Sequence, residues 1–437
     1  MSLSGPPLRW PCSRRLMRRK PLFPPPETTL TDPVTRQSVK KRLRNKGRQP
    51  RQVLTVNGRI KLLRRWWHAA QTGGVVPVDE MIDPQLSTVS VGVREMAARL
   101  NNDSASFKKT AENLHRTALV KMSGEQLRQL VTAEGQAILQ AQQQNAIPTA
   151  FRATDCVVDP KAEQPTTRIY GSVDGVMVPL ITDEEKVKRR QQVVEKRRHS
   201  GKQSAPLPPR KRGANQSFKE FKTIAFYDEH GEHWHELLSR RSRIQVGAVI
   251  RREAKRLGFA YADEKIANVD GADWIRDRLT EGPNQLPLDG LGLDFYHLSE
   301  NIHRCRRRVF GEDDDDGKQW AEHLLHTLKH EGYAPAWDQL TVWRTNLSSP
   351  TQKEAADKLL NYVSKRQEMI NYPEFRERGW QIGSGPIESR CKTSTERLKG
   401  RGRRWDAPNA EAVAALTTLQ DSGQWHHYWP TSNPAGI

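Results

Sequence analysis

Three acidic residues, Asp174, Asp270 and Glu388, stand where separate elements of the chain would deliver them to one place. Asp174 lies with Gly175 inside the apolar run 168–179. Asp270 ends the short apolar run 266–269, and Glu388 follows Gly-Ser-Gly-Pro-Ile at the start of a helical pattern. Carboxylate oxygens are the ligands that hard cations such as Mg²⁺ or Mn²⁺ prefer. Two such ions about 3.5–4 Å apart activate water and relieve charge on the leaving oxygen when a phosphodiester bond breaks. Each acid alone also has a plain structural reading: Asp-Gly is a common hairpin turn, Asp270 suits a helix cap, and Glu388 complements a helix dipole. Taken together and in this order, they read as ligands for two divalent ions.

The elements that must position them follow from local pattern. Residues 168–179 form a strand pair around Asp174-Gly175, 223–227 and 233–238 are strands, and 244–257 is a helix with Gly258 as its C-cap. A strand at 266–269, a helix at 272–279 and a strand at 288–295, ending around Asp294, complete the order β-β-β-α-β-α-β. That is the order of a ribonuclease-H-like core, an α/β fold with a mixed five-stranded sheet and flanking helices. In it the first and fourth strands are neighbours, which would bring Asp174 and Asp270 together. Residues 298–380 read as an all-helical insertion with Trp320, Trp337 and Trp343, which accounts for the long gap before Glu388. These tryptophans suit core packing or stacking on an unpaired base. The acidic run 312–316 reads as a solvated loop.

The N-terminal side is different in character. Residues 1–52 are rich in Pro, Lys and Arg and read as an unfolded basic tail. Residues 53–150 read as a hairpin around Asn57-Gly58 followed by three helices, with a capping box at Ser123 and Gln126; this suits a helix-turn-helix DNA reader or any small helical bundle. The core then spans 151–297, with an exposed helix and basic loop at 183–217. The last part of the core is 381–425 and ends in a helix at 409–420; 426–437 is a tail.

The 437 residues carry a net charge of +20 and a pI near 9.9, which favours a polyanionic partner through phosphate contacts. Cys12, Cys156, Cys305 and Cys391 are far apart and form no C-x-x-C pair, which argues against a disulfide framework or a cysteine zinc site. No stretch is apolar enough to span a membrane, no secretion signal is evident, and the scattered cysteines suit a reducing compartment, so a cytoplasmic protein is expected.

At the candidate site the sequence resembles bacterial insertion-sequence transposases of the Kra type, allied to Mutator-like elements. The resemblance is carried by Tyr170–Val178, Phe218–Lys222, Val269–Ile275, Leu293–His297 and Ile382–Ser389, together with Arg397–Gly400 and Trp405. It implies a D-D-E triad at Asp174, Asp270 and Glu388 and a D-x-x-H signature at Asp294 and His297. Read from its own surroundings, His297 suits a buried strand-end histidine or a residue that orients a scissile phosphate, with Asp294 fixing its tautomer. Asp294 also competes with Asp270 as a metal ligand. Relatives often carry a cysteine zinc knuckle after the first hairpin, where this chain has Trp66-Trp67-His68-Ala69-Ala70-Gln71, so no zinc is expected.

The expected activity is therefore DNA transposition by an endonuclease with two Mg²⁺ or Mn²⁺ ions. It would cleave at terminal inverted repeats and transfer the 3′-OH into target DNA, with a homodimer or larger assembly on DNA. Arg390, Lys392, Arg397, Lys399, Arg401, Arg403 and Arg404 are the expected phosphate contacts. A structure-selective nuclease on the same fold, or an inactive or domesticated DNA-binding protein, would share much of this pattern.

Overall fold

The computed structural model describes residues 27–31, 38–69, 73–76, 79, 87–181, 183–201, 218–400, 403 and 405–429. Its residues group into two compact units. One takes the described residues up to Met96 with Leu114–Lys121; the other takes Ala97–Asn113 and the described residues from Met122 onward.

The first unit is built on antiparallel ribbons. Strands β1 (Glu27–Thr31) and β2 (Ser38–Arg42) pair with each other. Strand β3 (Arg44–Thr55) pairs with β4 (Gly58–Ala69), and β4 with β5 (Gly73–Val75). The expectation of an unfolded tail through residue 52 is thus corrected for 27–31 and 38–52; residues 1–26 and 32–37 lie outside the described residues. Antiparallel pairing satisfies the backbone from strand to strand, so a polar segment can be extended with its side chains in water. Residues 44–50 are exposed in this way, between buried Leu43 on one side and buried Val53 and Leu54 on the other. The hairpin turn sits at Val56-Asn57, with Gly58 opposite Thr55. Arg51 and Arg64 both pair with Asp79, so part of the basic charge is neutralised internally.

Helices α1 (Val91–Asn102), α2 (Phe107–Ala118) and α3 (Gly124–Gln143) follow, and both bonds of the Ser123–Gln126 capping box form. The third does not stand as a free reading helix. Its face of Leu127, Val131, Gly135 and Ile138 is buried, and Gly135 lies against the backbone of Ala412, where a Cβ would come within 2.2 Å of the carbonyl oxygen. The boundary expected at residue 150 therefore does not separate α3 from the C-terminal residues it packs on.

The second unit holds a five-stranded mixed sheet of β6 (Arg168–Pro179), β7 (Phe218–Asp228), β8 (Trp234–Ser239), β9 (Glu264–Val269) and β10 (Gly290–Leu293), in the spatial order β10-β9-β6-β7-β8. Helix α4 (Asp183–His199) lies between β6 and β7; residues 202–217, the rest of the expected basic loop, lie outside the described residues. The first three strands are antiparallel neighbours, whereas β9 lies parallel to β6 and β10 parallel to β9. Helices α5 (Arg243–Leu257) and α6 (Asp273–Thr280) supply Val249, Ile250, Ile275 and Leu279 to a core with Ile169, Val173, Val269 and Leu293. Gly258 caps α5 in the left-handed conformation, as expected. The opposite face carries Tyr170, Ile266, Phe375, Trp380 and Ile387.

Residues beyond β10 are helical: α7 (Phe295–Phe310), α8 (Asp315–His330), α9 (Tyr333–Thr345), α10 (Pro350–Ser364) and α11 (Tyr372–Glu377). The acidic run is less loop than expected. Asp314 caps α8, accepting from the Gly317 N–H, and Asp315 and Asp316 occupy its first turn, where negative charge meets the helix dipole. Trp320 and Trp343 pack with ring centroids 4.2 Å apart, and Trp337 stacks on Tyr333, so all three tryptophans have packing partners. The chain returns through α12 (Gly385–Thr393), α13 (Glu396–Lys399), α14 (Ala407–Asp421) and α15 (Trp425–Tyr428). Between α12 and α13 the helical run breaks at Ser394 and Thr395, both buried. Among the described residues, no helix is long and apolar enough to cross a membrane.

Two predictions concern stability. Gly135→Ala should destabilise the fold by about 1–3 kcal/mol through overpacking, read as a lower denaturation midpoint. Glu236 is fully buried beside the Ser394 hydroxyl and the Trp234 indole N–H, and burial raises its pKa from 4.5 to about 7. A raised folded-state pKa means that the protonated form belongs to the fold. Its contribution is complete below pH 4.5 and is lost as pH rises to about 7, a change of about 3 kcal/mol. Glu236→Gln, permanently neutral, should be more stable than wild type at pH 8 but not at pH 4 in parallel urea titrations.

Candidate metal centre

The parallel register sets the site. It pairs Gly171 with Ala267 and Val269 with Leu293. Carried past the ends of β9 and β10, the same register brings Asp174, Asp270 and Asp294 to one level across three adjacent strands. Asp270 accepts the Ala272 N–H at 2.9 Å in a tight turn. Gly271 next to it has φ +84°, and a Cβ there would meet Leu293 at 2.6 Å and Arg366 at 2.7 Å, so only glycine fits.

Asp294 is wholly buried and caps α7. One of its oxygens accepts the His297 backbone N–H at 2.7 Å, and the other accepts the backbone N–H of Ser384. The notion that Asp294 fixes the His297 tautomer is therefore corrected: it holds the His297 backbone, not the ring. The histidine is also not a buried strand-end residue. It sits in the first turn of α7 with its side chain 35% exposed, Nε2 3.4 Å from Glu388 Oε1 and Nδ1 3.8 Å from Glu300. Glu388 comes from the first turn of α12, and Ser384 Oγ lies 3.4 Å from its Oε1.

Asp294, His297 and Glu388 each offer a ligand atom, and these atoms lie within 4.8 Å of one another. Among the described residues this is the one such group of three; Asp174 and Asp270 fall outside it. They are nonetheless neighbours of it. Burial raises the pKa of the Asp174 carboxyl, and the charge on Asp270 adds to the rise. Opposing it are a hydrogen bond from Cys391, the Gly175 N–H at 2.6 Å and the charge of His297. Cys391, three residues after Glu388 on α12, also reaches the Thr223 hydroxyl at 3.1 Å. Its partnership with Asp174 had no signal in the sequence beyond that helical spacing.

The basic residues expected to meet DNA divide sharply. Lys392 and Lys399 are exposed. Arg397 is not available: it is 4% exposed, stacked between Phe107 and Trp405, and donates to the backbone and side-chain oxygens of Asn101 at 3.1 Å. Burial lowers its pKa to about 10. Its expected phosphate role is corrected to a structural one, because Phe107 and Trp405 enclose it. Arg390 lies over the Trp234 ring and 4.0 Å from Asp421, and Arg403 donates to the Glu396 carbonyl at 2.7 Å. Arg401 and Arg404 lie outside the described residues. A cavity of about 620 Å³ bordered by Arg390, Arg397 and Asp421 does not include the carboxylate group.

An uncharacterised protein family (UPF0236) matches residues 31–156, which lie before the sheet that carries these carboxylates. No curated protein matches the chain. Among solved structures, the Drosophila P element transposase strand transfer complex aligns over 80% of this chain and 84% of that chain, with 8% sequence identity and a TM-score of 0.26. A score at that level does not establish a common fold.

Proposed function

We propose that this chain is a divalent-metal-dependent DNA transposase whose five-stranded sheet is a ribonuclease-H-like core. The observation that carries the reading is the gathering of Asp294, His297 and Glu388 at the ends of parallel strands, with Asp174 and Asp270 at the same level. The strand order β10-β9-β6-β7-β8, antiparallel on one side and parallel on the other, supports the choice of core.

The donor set fits a hard divalent ion, because it offers carboxylate oxygens and one imidazole nitrogen. A cation would also offset the cost of keeping Asp174 ionised while buried. Asp174, Asp270 and Glu388 are the ligands proposed from the sequence, and Asp294 and His297 join them on geometry. Two Mg²⁺ or Mn²⁺ ions would supply charge relief at the leaving oxygen and acidify an attacking water. The chain's own residues bind and orient. Asp294 fixes the start of α7 to the loop before α12, so His297 and Glu388 are presented together. Cys391 and the Gly175 N–H hold Asp174 at its strand position. Lys392 and Lys399 are free to meet DNA phosphates. In this reading the enzyme cleaves at the element ends and joins the freed 3′-OH to target DNA. Pairing of two ends calls for a homodimer or a larger assembly on DNA.

Titration with Mn²⁺, followed by electron paramagnetic resonance, should show binding that is lost in Glu388→Gln and His297→Ala; a wild-type protein that binds no Mn²⁺ sinks the reading. With DNA and Mg²⁺, Asp174→Asn should lower cleavage more than about a hundredfold, as expected when several kcal/mol of transition-state stabilisation is removed, while DNA affinity is retained. Cleavage without joining in a strand-transfer assay would instead identify a structure-selective nuclease.

A further inference from the structure

Helix α7 begins at the carboxylate group and leads away from it with a consistent face. Asn301, Arg304 and Arg308 follow His297 at steps of four, three and four residues, which stack on one side of a helix. The rise per residue places Arg304 and Arg308 at about 10 and 16 Å from His297 along the axis. The Asn301 amide donates to the His297 carbonyl at 2.8 Å, and Arg304 donates to the Asn301 side-chain oxygen at 3.1 Å.

Helix α10 forms the other wall. A cavity of about 270 Å³ runs between the two helices, bordered by Asn301, Arg304, Arg308, Lys358 and Tyr362. Lys358 is paired with Glu354 at 2.5 Å, an acid on the same helix. Arg304 and Arg308 are exposed, and neither forms a salt bridge with a described carboxylate. Tyr362 stands at the end nearest the acids with Arg366 over its ring, and the charges of Arg366, Asp270, Asp294 and Arg304 all reach it. Its hydroxyl is buried without a hydrogen-bond partner among the described residues, a state that buried polar groups seldom keep. A groove with two exposed arginines outside any salt bridge among the described residues, spaced from a metal-type site, and an unpaired hydroxyl at its inner end, suits a chain of phosphates.

We propose that this groove is the track along which a DNA strand reaches the carboxylate site, with its phosphates on Arg304 and Arg308. The proposal rests on the nuclease reading for the substrate, but its test does not require cleavage.

The test is the salt dependence of binding to a duplex of about 16 base pairs in EDTA, read by fluorescence anisotropy on the full chain. Arg304→Ala/Arg308→Ala should reduce the slope of log K against log [salt] by about 2, roughly one for each phosphate no longer neutralised, with affinity down roughly tenfold. The lysine pair Arg304→Lys/Arg308→Lys should restore most of the slope. Arg251→Ala/Lys255→Ala on α5 makes the same change in net charge on an exposed face elsewhere and should leave the slope near wild type. An unchanged slope in the Arg304/Arg308 variant, or an equal fall in the α5 control, overturns the groove. Mn²⁺ binding measured on the same variants separates the two ideas. A reduced slope in a protein that binds no Mn²⁺ supports the groove and removes the nuclease reading, whereas an unchanged slope with intact Mn²⁺ binding removes only the groove.

Discussion

A carboxylate can remain wholly buried only if its oxygens find donors, and Asp294 finds them on two segments far apart in sequence. Through one oxygen it starts helix α7; through the other it grips the backbone of Ser384, just ahead of α12. The adjacent Phe295 N–H donates to the Ile382 carbonyl at 2.9 Å, which makes the junction double. His297 and Glu388 sit one turn beyond these anchors, so their approach follows from how the backbone is tied. A neutral Asn at 294 would offer one oxygen where two donors now point, and the His297–Glu388 geometry would loosen without either residue being touched.

The sheet sets the second constraint. In parallel strands, residues at one level point to the same face, and the register of β6, β9 and β10, continued past their paired residues, sets three aspartates at one level. Burial is what chiefly raises the pKa of Asp174, and the negative charge of Asp270 at this edge adds to it. Surrounding residues act on position more than on charge. Arg366 donates to the Gly271 carbonyl at 2.8 Å and lies over Tyr362, holding the turn that carries Asp270. The same guanidinium lies 3.5 Å from an Asp273 oxygen, so its contacts are with the backbone, a ring and that acid.

Much of this was legible in the sequence. Apolar runs and caps located most strands and helices of the second unit to within a few residues, because each segment's local preference agrees with its place in the fold; the strand pair expected around Asp174-Gly175 is instead one continuous strand, β6, whose ladder with β7 runs through both residues. The adjacency of β6 and β9 also followed from element order. What could not be read was which acid meets Glu388, since that depends on a backbone N–H of Ser384 reaching Asp294 across the helical segment. Charge misled in two places. Basic composition suggested an unfolded segment at 38–52, where strand pairing supplies the order. Likewise, the run from Arg390 to Arg404 looked uniform, although Arg397 is enclosed by two aromatic rings. Arginine serves burial as readily as phosphate contact, and sequence alone does not distinguish the two uses.

The helical segment from α7 to α11 leaves the sheet and returns to it at nearly one point, the Asp294–Ser384 and Phe295–Ile382 contacts. Its entry and exit act as a clasp. Lengthening a loop whose ends are already joined adds only a slowly growing entropic penalty, so the segment's size is weakly coupled to the geometry at its base. Helices could be added to or removed from its outer part over evolutionary time while the carboxylate-bearing edge stayed in place. Arg366 to Gly271 and the Tyr372 hydroxyl to the Leu293 carbonyl, at 2.9 Å, are the inward ties such remodelling would have to keep. On this architecture, relatives with the same strand ends could differ widely in the bulk of this segment.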